Sequence, residues 1–199
     1  MTSNLAVDPN TSALLVMDFQ TSIVEMVAAD KAGLLARTAK LVEGARKAGL
    51  RVIYIVVGFR PGYPEVSARN PSFGPVRESG RFAAGSAGTE VHAAVAPKLG
   101  EAVVTKHRVS AFAGTDLDMI LRANGIETLV LAGIATSGVV LSTVRHAADA
   151  DYRLVVVEDS CADRDPEVHR VLMDKVFARQ ATVLTADEVV GALGAPHSA

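Results

Sequence analysis

Six short apolar runs punctuate the chain, and segments with helical spacing alternate with them. Ala13–Met17, Val52–Val57, Ala102–Thr105, Glu127–Ala132, Leu154–Val157 and Thr182–Leu184 read as strands. Continuous apolar runs bounded by turn residues mark strands buried on both faces, as in parallel sheets. Between them, Lys31–Gly49 carries Leu34, Leu35, Leu41, Val42 and Ala45 on one helical face and stops at Gly49. Further helices are expected over Thr89–Leu99 with Thr89 as N-cap, Thr115–Asn124, Val139–Ala150, Asp165–Ala178 with Pro166 in the first position, and Ala186–Leu193. The tail GAPHSA is expected to fray. Strand–helix alternation predicts an α/β chain whose parallel sheet is covered by helices on both faces. The stretch Gly58–Gly88, rich in Gly, Pro, Ser and Arg, interrupts the alternation and is expected to form a lid or rim over a functional crevice.

In such sheets ligands bind beyond the carboxyl ends of the strands. Three features arrive there. Asp18 follows the first strand, Lys106 follows the third, and the turn Ala135–Val139 joins the fourth strand to its helix. If the first and third strands are inner neighbours of the fourth, the carboxylate and the ammonium converge on that turn. Its free amides, around Ile134, Ala135, Ser137 and Gly138, would then favour negative charge and hold an oxyanion. Lys106 lowers the pKa of a neighbouring carboxylate and burial raises it, and the sequence leaves the balance open. Phe19, Gln20, Arg60, Tyr63 and Phe112 are candidates for the substrate wall, with Arg60 or Arg69 facing a substrate carboxylate. Their bland alternatives are core packing for the phenylalanines and solvation for the arginines.

Composition narrows the function classes. The 199 residues are 49% apolar with a formal net charge of -2, and no basic run suggests a nucleic-acid partner. They are expected to form one domain over residues 1–199. No apolar stretch is long enough to span a bilayer, and the first fifteen residues lack the pattern of a secretory signal, so a cytoplasmic protein is expected. A single cysteine, Cys161, excludes an internal disulfide and any multi-cysteine metal cluster.

ALLVMDFQ, VVTKHRVSAF and LVLAGIATSGVVLSTVRHAADADY, in that order and spacing, resemble the isochorismatase-like hydrolases, the cysteine hydrolase or nicotinamidase-related superfamily. The resemblance spans about Ala13 to Val190. It implies a Rossmann-like three-layer fold with a central six-stranded parallel sheet, Asp18 as acid/base, Lys106 as its partner, and a non-proline cis peptide at Ile134–Ala135. It also implies a homo-oligomer, dimer or tetramer. Amidases of the family carry a nucleophilic cysteine in G-x-A-T-x-x-C, and here that position is Val139, which has no lone pair to attack with. Cys161, in EDSCAD, reads as a small buried residue. A serine nucleophile activated by Asp18, from Ser137, stays open. The nicotinamidase metal pattern is missing from GFRPGYPEVSARN, and the five histidines show no ligand spacing, so no metal and no cofactor are expected.

One branch of the superfamily hydrolyses a vinyl ether without a thiol, by protonation from the aspartate and capture of the cation by water. The resemblance therefore implies a small-molecule hydrolase acting through Asp18 and Lys106 on vinyl-ether, C–N or C–O bonds. The alternatives are a small-molecule-binding member that has lost catalysis and an assembly role.

Overall fold

The structure is a computed structural model that describes residues 7–193. The GAPHSA tail lies outside that range. The chain forms β1 (Ser12–Met17), α1 (Thr21–Val27), α2 (Lys31–Lys47), β2 (Arg51–Val57), α3 (Gly74–Ser79), β3 (Ala102–Lys106), α4 (Leu117–Ala123), β4 (Thr128–Ile134), α5 (Leu141–Asp149), β5 (Arg153–Ala162), α6 (Pro166–Val171), β6 (Thr182–Leu184) and α7 (Ala186–Leu193). All strand pairs are parallel, in the order β3-β2-β1-β4-β5-β6. The sheet is therefore the six-stranded, doubly covered one that the alternation predicts.

Two apolar clusters sit on opposite faces because alternate strand residues point opposite ways. Leu14, Val16, Tyr54, Val130 and Val155 meet Leu34, Leu41 and Ala45 of α2 and Val189 and Leu193 of α7. Leu15, Met17, Ile53, Leu129 and Val156 meet Leu117 and Leu121 of α4, Val144 and Ala147 of α5, and Met173 and Phe177 beyond α6. No helix among the described residues is long and apolar enough to cross a membrane.

Several local expectations change. The Thr89–Leu99 helix shrinks to one 3-10 turn, Ala93–Val95, capped by the His92 ring rather than by Thr89. Thr89 instead donates its hydroxyl to the Ser86 carbonyl oxygen, and Val91 bridges Gln20 in an antiparallel pair. β5 is ten residues long, not four. Its polar stretch Glu158-Asp159 is tolerated because Arg37 donates to the Asp159 carbonyl oxygen at 2.9 Å and Ala186 N donates to Asp159 Oδ1 at 2.8 Å. Past an irregularity between Leu131 and Gly133 the strand resumes, pairing Cys161 with Gly133. Cys161 is thus part of the strand and not of a loop after it.

The Gly58–Gly88 stretch is stitched by its own contacts rather than left open. Phe59 pairs with Ala83, Phe59 packs on Tyr63 and Phe73, and the Tyr63 hydroxyl donates to the Arg81 carbonyl oxygen at 2.8 Å.

Candidate active site

β1 and β4 lie side by side at the centre of the sheet, and their register pairs Met17 with Gly133. Asp18 therefore leaves β1 beside the Ile134–Ala135 peptide, which is cis. The Asp18 amide donates to the Ile55 carbonyl oxygen at 2.8 Å, while its φ of 58° turns the residue out of the strand line. Such a left-handed conformation is uncommon outside glycine, and Asp is one of the few residues that tolerate it.

Lys106 comes from farther away than expected. β3 is the outer edge strand, two places from β1, with β2 between them. Strands are about 4.8 Å apart, so the long lysine stem has to cross the end of β2. It does so. Lys106 Nζ lies 2.9 Å from Asp18 Oδ2 and donates to the Arg108 carbonyl oxygen at 3.1 Å. Both side chains are almost wholly buried, at 3% exposed for Lys106 and 8% for Asp18.

Asp18 Oδ1 is buried and has no hydrogen-bond partner among the described residues. Burial is the largest influence on this carboxyl and pushes its pKa above the ordinary value, with Lys106 opposing. The buried, unpaired Oδ1 favours the acid form, against the pull of Lys106 on Oδ2.

The turn after β4 is a wide π turn, Thr136–Val140, and the α-helical part begins only at Leu141. The Ala135 carbonyl oxygen accepts from Gly138 N at 3.1 Å and from Val140 N at 3.4 Å. Ser137 N donates to Asp163 Oδ2 at 2.7 Å. The Ser137 and Gly138 amides are thus already engaged within the protein, and the open oxyanion cradle expected of them is corrected to that extent. Val139 is buried in the apolar cluster that contains Met17, Phe112 and Cys161. Cys161 Sγ lies 3.9 Å from the Leu131 carbonyl oxygen, and burial pushes its thiol up to about 12, far from nucleophilic.

The other wall candidates take structural posts. Phe19 packs in the cluster on the α2 side, whereas Val139 lies in the opposite one. Gln20 is a buried strut. Its amide donates to the carbonyl oxygens of Val57 and Thr89 at 3.0 and 2.7 Å, and its Oε1 accepts from Val57 N at 2.8 Å. Tyr63 spends its hydroxyl on Arg81, and Arg60 pairs with Glu65 at 2.6 Å. The Phe112 ring stacks on His146 of α5, with centroids 4.5 Å apart.

Two residues escaped the sequence patterning. Thr136 Oγ1 is hydrogen-bonded to His169 Nδ1 at 2.8 Å, and Asp163 holds Ser137. Together they clamp the first two residues of the π turn from the segment after β5. Their signal was the run ADRDPEVH. Asp165 caps α6 through Glu167 N and Val168 N, and Pro166 opens the helix, which aims His169 back at the turn.

The isochorismatase domain family matches residues 12–188. Ureidoacrylate amidohydrolase RutB of Methylobacterium radiotolerans is 31% identical over 217 residues, covering 98% of this chain and 84% of that protein. The solved N-carbamoylsarcosine amidase from Thermoplasma acidophilum has a TM-score of 0.73 at 33% identity, covering 89% of this chain and 97% of its own. A cysteine hydrolase from Pseudomonas syringae pv. phaseolicola shares the fold, with a TM-score of 0.86 at 23% identity over 94% of both chains. With a domain match over nearly the whole described chain, the chain belongs to the isochorismatase family of hydrolases.

Proposed function

We propose that the protein is a small-molecule hydrolase that works without a thiol, with Asp18 as the proton donor and acceptor and Lys106 as the cation that orients it. The observation that carries this is the Asp18 carboxyl itself: Oδ2 on Lys106 at 2.9 Å, Oδ1 buried and unpaired. A proton on Oδ1 is ready for transfer to a substrate atom. With valine at 139 no sulfur is available there for an acyl-enzyme, which favours a route with no covalent intermediate on that residue.

On a vinyl ether, Asp18 protonates the terminal alkene carbon. The ether oxygen shares the resulting positive charge, water adds to the cationic carbon, and the aspartate takes back a proton from that water. The hemiketal then collapses to a carbonyl compound and an alcohol. On an acyl C–N bond water adds to the carbonyl carbon, the same carboxyl protonates the leaving nitrogen as the C–N bond breaks, and the resulting carboxylate takes the proton that the added water loses. The relatives named for ureidoacrylate and N-carbamoylsarcosine hydrolysis make amide-type substrates the second class to assay. The alternative reading is a member of the fold that binds a small molecule without turning it over. It is favoured by Val139, whose packed side chain leaves no nucleophile. A dimer or tetramer, measured by sedimentation, belongs to the same reading.

The test is turnover of vinyl-ether and ureido substrates by the purified protein, with and without iodoacetamide. Hydrolysis unaffected by the alkylating agent and lost in Asp18→Asn is expected. Activity that survives Asp18→Asn, or that iodoacetamide abolishes, overturns the proposal. Ligand-dependent thermal stabilisation with no turnover supports the binding reading instead. Because the acid form of Asp18 is the donor, activity is expected to fall as pH rises through its raised pKa.

A further inference from the structure

Away from the Asp18–Lys106 pair, the carboxyl end of α4 carries a reactive dipeptide. Asn124 is the C-cap of α4 and Gly125 follows it. Nowhere else in the chain does glycine follow an asparagine or an aspartate. The pairing matters because a backbone nitrogen can attack the side-chain carbonyl carbon of the asparagine before it and close a cyclic imide. Glycine has no Cβ to shield that nitrogen, and asparagine is among the residues that fail first on heating. Gly125 is exposed and Asn124 half-buried, so water has access to the pair.

The folded turn holds the two groups apart. Asn124 has φ -107° and ψ 9°. At a ψ near zero the Gly125 nitrogen eclipses the Asn124 nitrogen, whereas ring closure needs it on the side of Cβ. Three hydrogen bonds keep this pose. Asn124 Nδ2 donates to the Ile120 carbonyl oxygen at 2.7 Å. Gly125 N donates to the Arg122 carbonyl oxygen at 3.1 Å, and Ile126 N to that of Leu121 at 3.0 Å. The first holds the leaving amide and the second the attacking nitrogen. The third ties down the chain beyond, after Gly125 has turned left-handed at φ 62°.

The lock is a small one. α4 has seven residues, and in its last turn Leu121 is buried while Arg122 and Ala123 are exposed. Exposed helix ends open locally at far lower cost than the whole protein unfolds.

We propose that Asn124 is a site of spontaneous deamidation, gated by opening of the last turn of α4. In the open turn the Gly125 nitrogen loses its proton to base and bonds to Asn124 Cγ. The Cγ–Nδ2 bond then breaks, and the nitrogen leaves as ammonia with a proton drawn from water. Water next opens the imide. Cleavage of its bond to Cγ gives aspartate, and cleavage of its bond to the backbone carbon gives isoaspartate. Neither product has the Nδ2 donor that held the Ile120 carbonyl, and each adds a negative charge at the carboxyl end of a helix, where it is unfavourable. The modified turn therefore does not close again as tightly.

The test incubates the purified full chain in heavy-oxygen water at mildly alkaline pH beside a synthetic peptide spanning residues 118–130, with both products mapped by mass spectrometry. Conversion is expected at Asn124, with heavy oxygen incorporated there, roughly ten- to hundredfold slower than in the peptide. Ala123→Gly weakens the last turn at an exposed position. It is expected to speed conversion about two- to fivefold in the folded protein and to leave the rate in the peptide unchanged. Conversion at the peptide's rate, none after roughly a hundred peptide half-lives, or no acceleration in Ala123→Gly overturns the proposal. Hydrogen exchange at the Ile126 amide measures the same opening without a substitution. Its protection factor is expected to match the ratio of the two conversion rates, and a mismatch beyond roughly tenfold overturns the gate.

Discussion

Asp18 does two things that few residues combine: it holds a left-handed backbone at φ 58° and presents a buried carboxyl. Asn shares the tolerance for that backbone, so Asp18→Asn tests the proton while sparing the turn, whereas a β-branched replacement confounds the two. Because folding raises the pKa of Asp18 above 3.8, the native state keeps a proton that the unfolded chain has released. The stability this contributes is complete below pH 3.8 and is lost as pH rises through the folded-state value. Urea melts at stepped pH are expected to show the stability of the wild type relative to Asp18→Asn declining with rising pH, and a flat difference contradicts the assignment. Removing the cation is harsher. Lys106→Met leaves the buried carboxyl with neither oxygen paired, and a loss of about 3–5 kcal/mol is expected in the melts at pH above the raised pKa of Asp18, where that carboxyl is ionised. At position 139 the expectation is a gain. Val139→Cys is expected to fold and to react with iodoacetamide faster than Cys161, whose thiol is pushed up to about 12. Equal inertness of both thiols shows that position 139 does not face the crevice.

At the scale of elements, the junction of β4 with the π turn depends on close approach. A Cβ on Gly133 would meet Val140 Cγ2 at 3.0 Å and Met17 Cβ at 3.1 Å, on two different elements. Gly133→Ala is therefore expected to cost about 1–3 kcal/mol in thermal or urea unfolding. The clamp from α6 acts on the same turn. His169→Ala leaves the fully buried Thr136 hydroxyl without its partner, and about 1–3 kcal/mol is expected to be lost. Legibility in the sequence followed the reach of the interactions. The strands, α2 and the Asp18–Lys106 pair were readable, because unbroken apolar runs and strand-end polar residues are local signals. The long β5 was not, since Glu158 and Asp159 break the apolar run and Asp159 is satisfied by groups of α2 and α7, remote in sequence. The clamp by His169 and the strut role of Gln20 were missed for the same reason. One clamps a turn 33 residues away and the other ties β1 to β2 37 residues on, and neither distance leaves a periodic trace. α1 is seven residues with no side-chain cap, too short for its pattern to stand out.

At the scale of the whole molecule, the two apolar clusters hold the central strands from both faces while the sheet's edges are held from one side only. β3 pairs with β2 alone, and its Val103 and Thr105 are exposed. Amide exchange is expected to be fastest among the strands at β3 and β6 and slowest at β1 and β4, with hydrogen-exchange mass spectrometry as the check. Equal protection across the sheet removes the distinction between centre and margin.

That distinction has a chemical side, because the positive charge reaching Asp18 is tethered to the margin. Any opening of β3 would leave the carboxyl at the centre without its counterion while its own strand stays intact. Fraying of the periphery would thereby become a loss of charge balance at the heart of the protein, and a substitution that loosens β3, such as Val104→Ala, is expected to shift the pH dependence of the stability difference between the protein and its Asp18→Asn form.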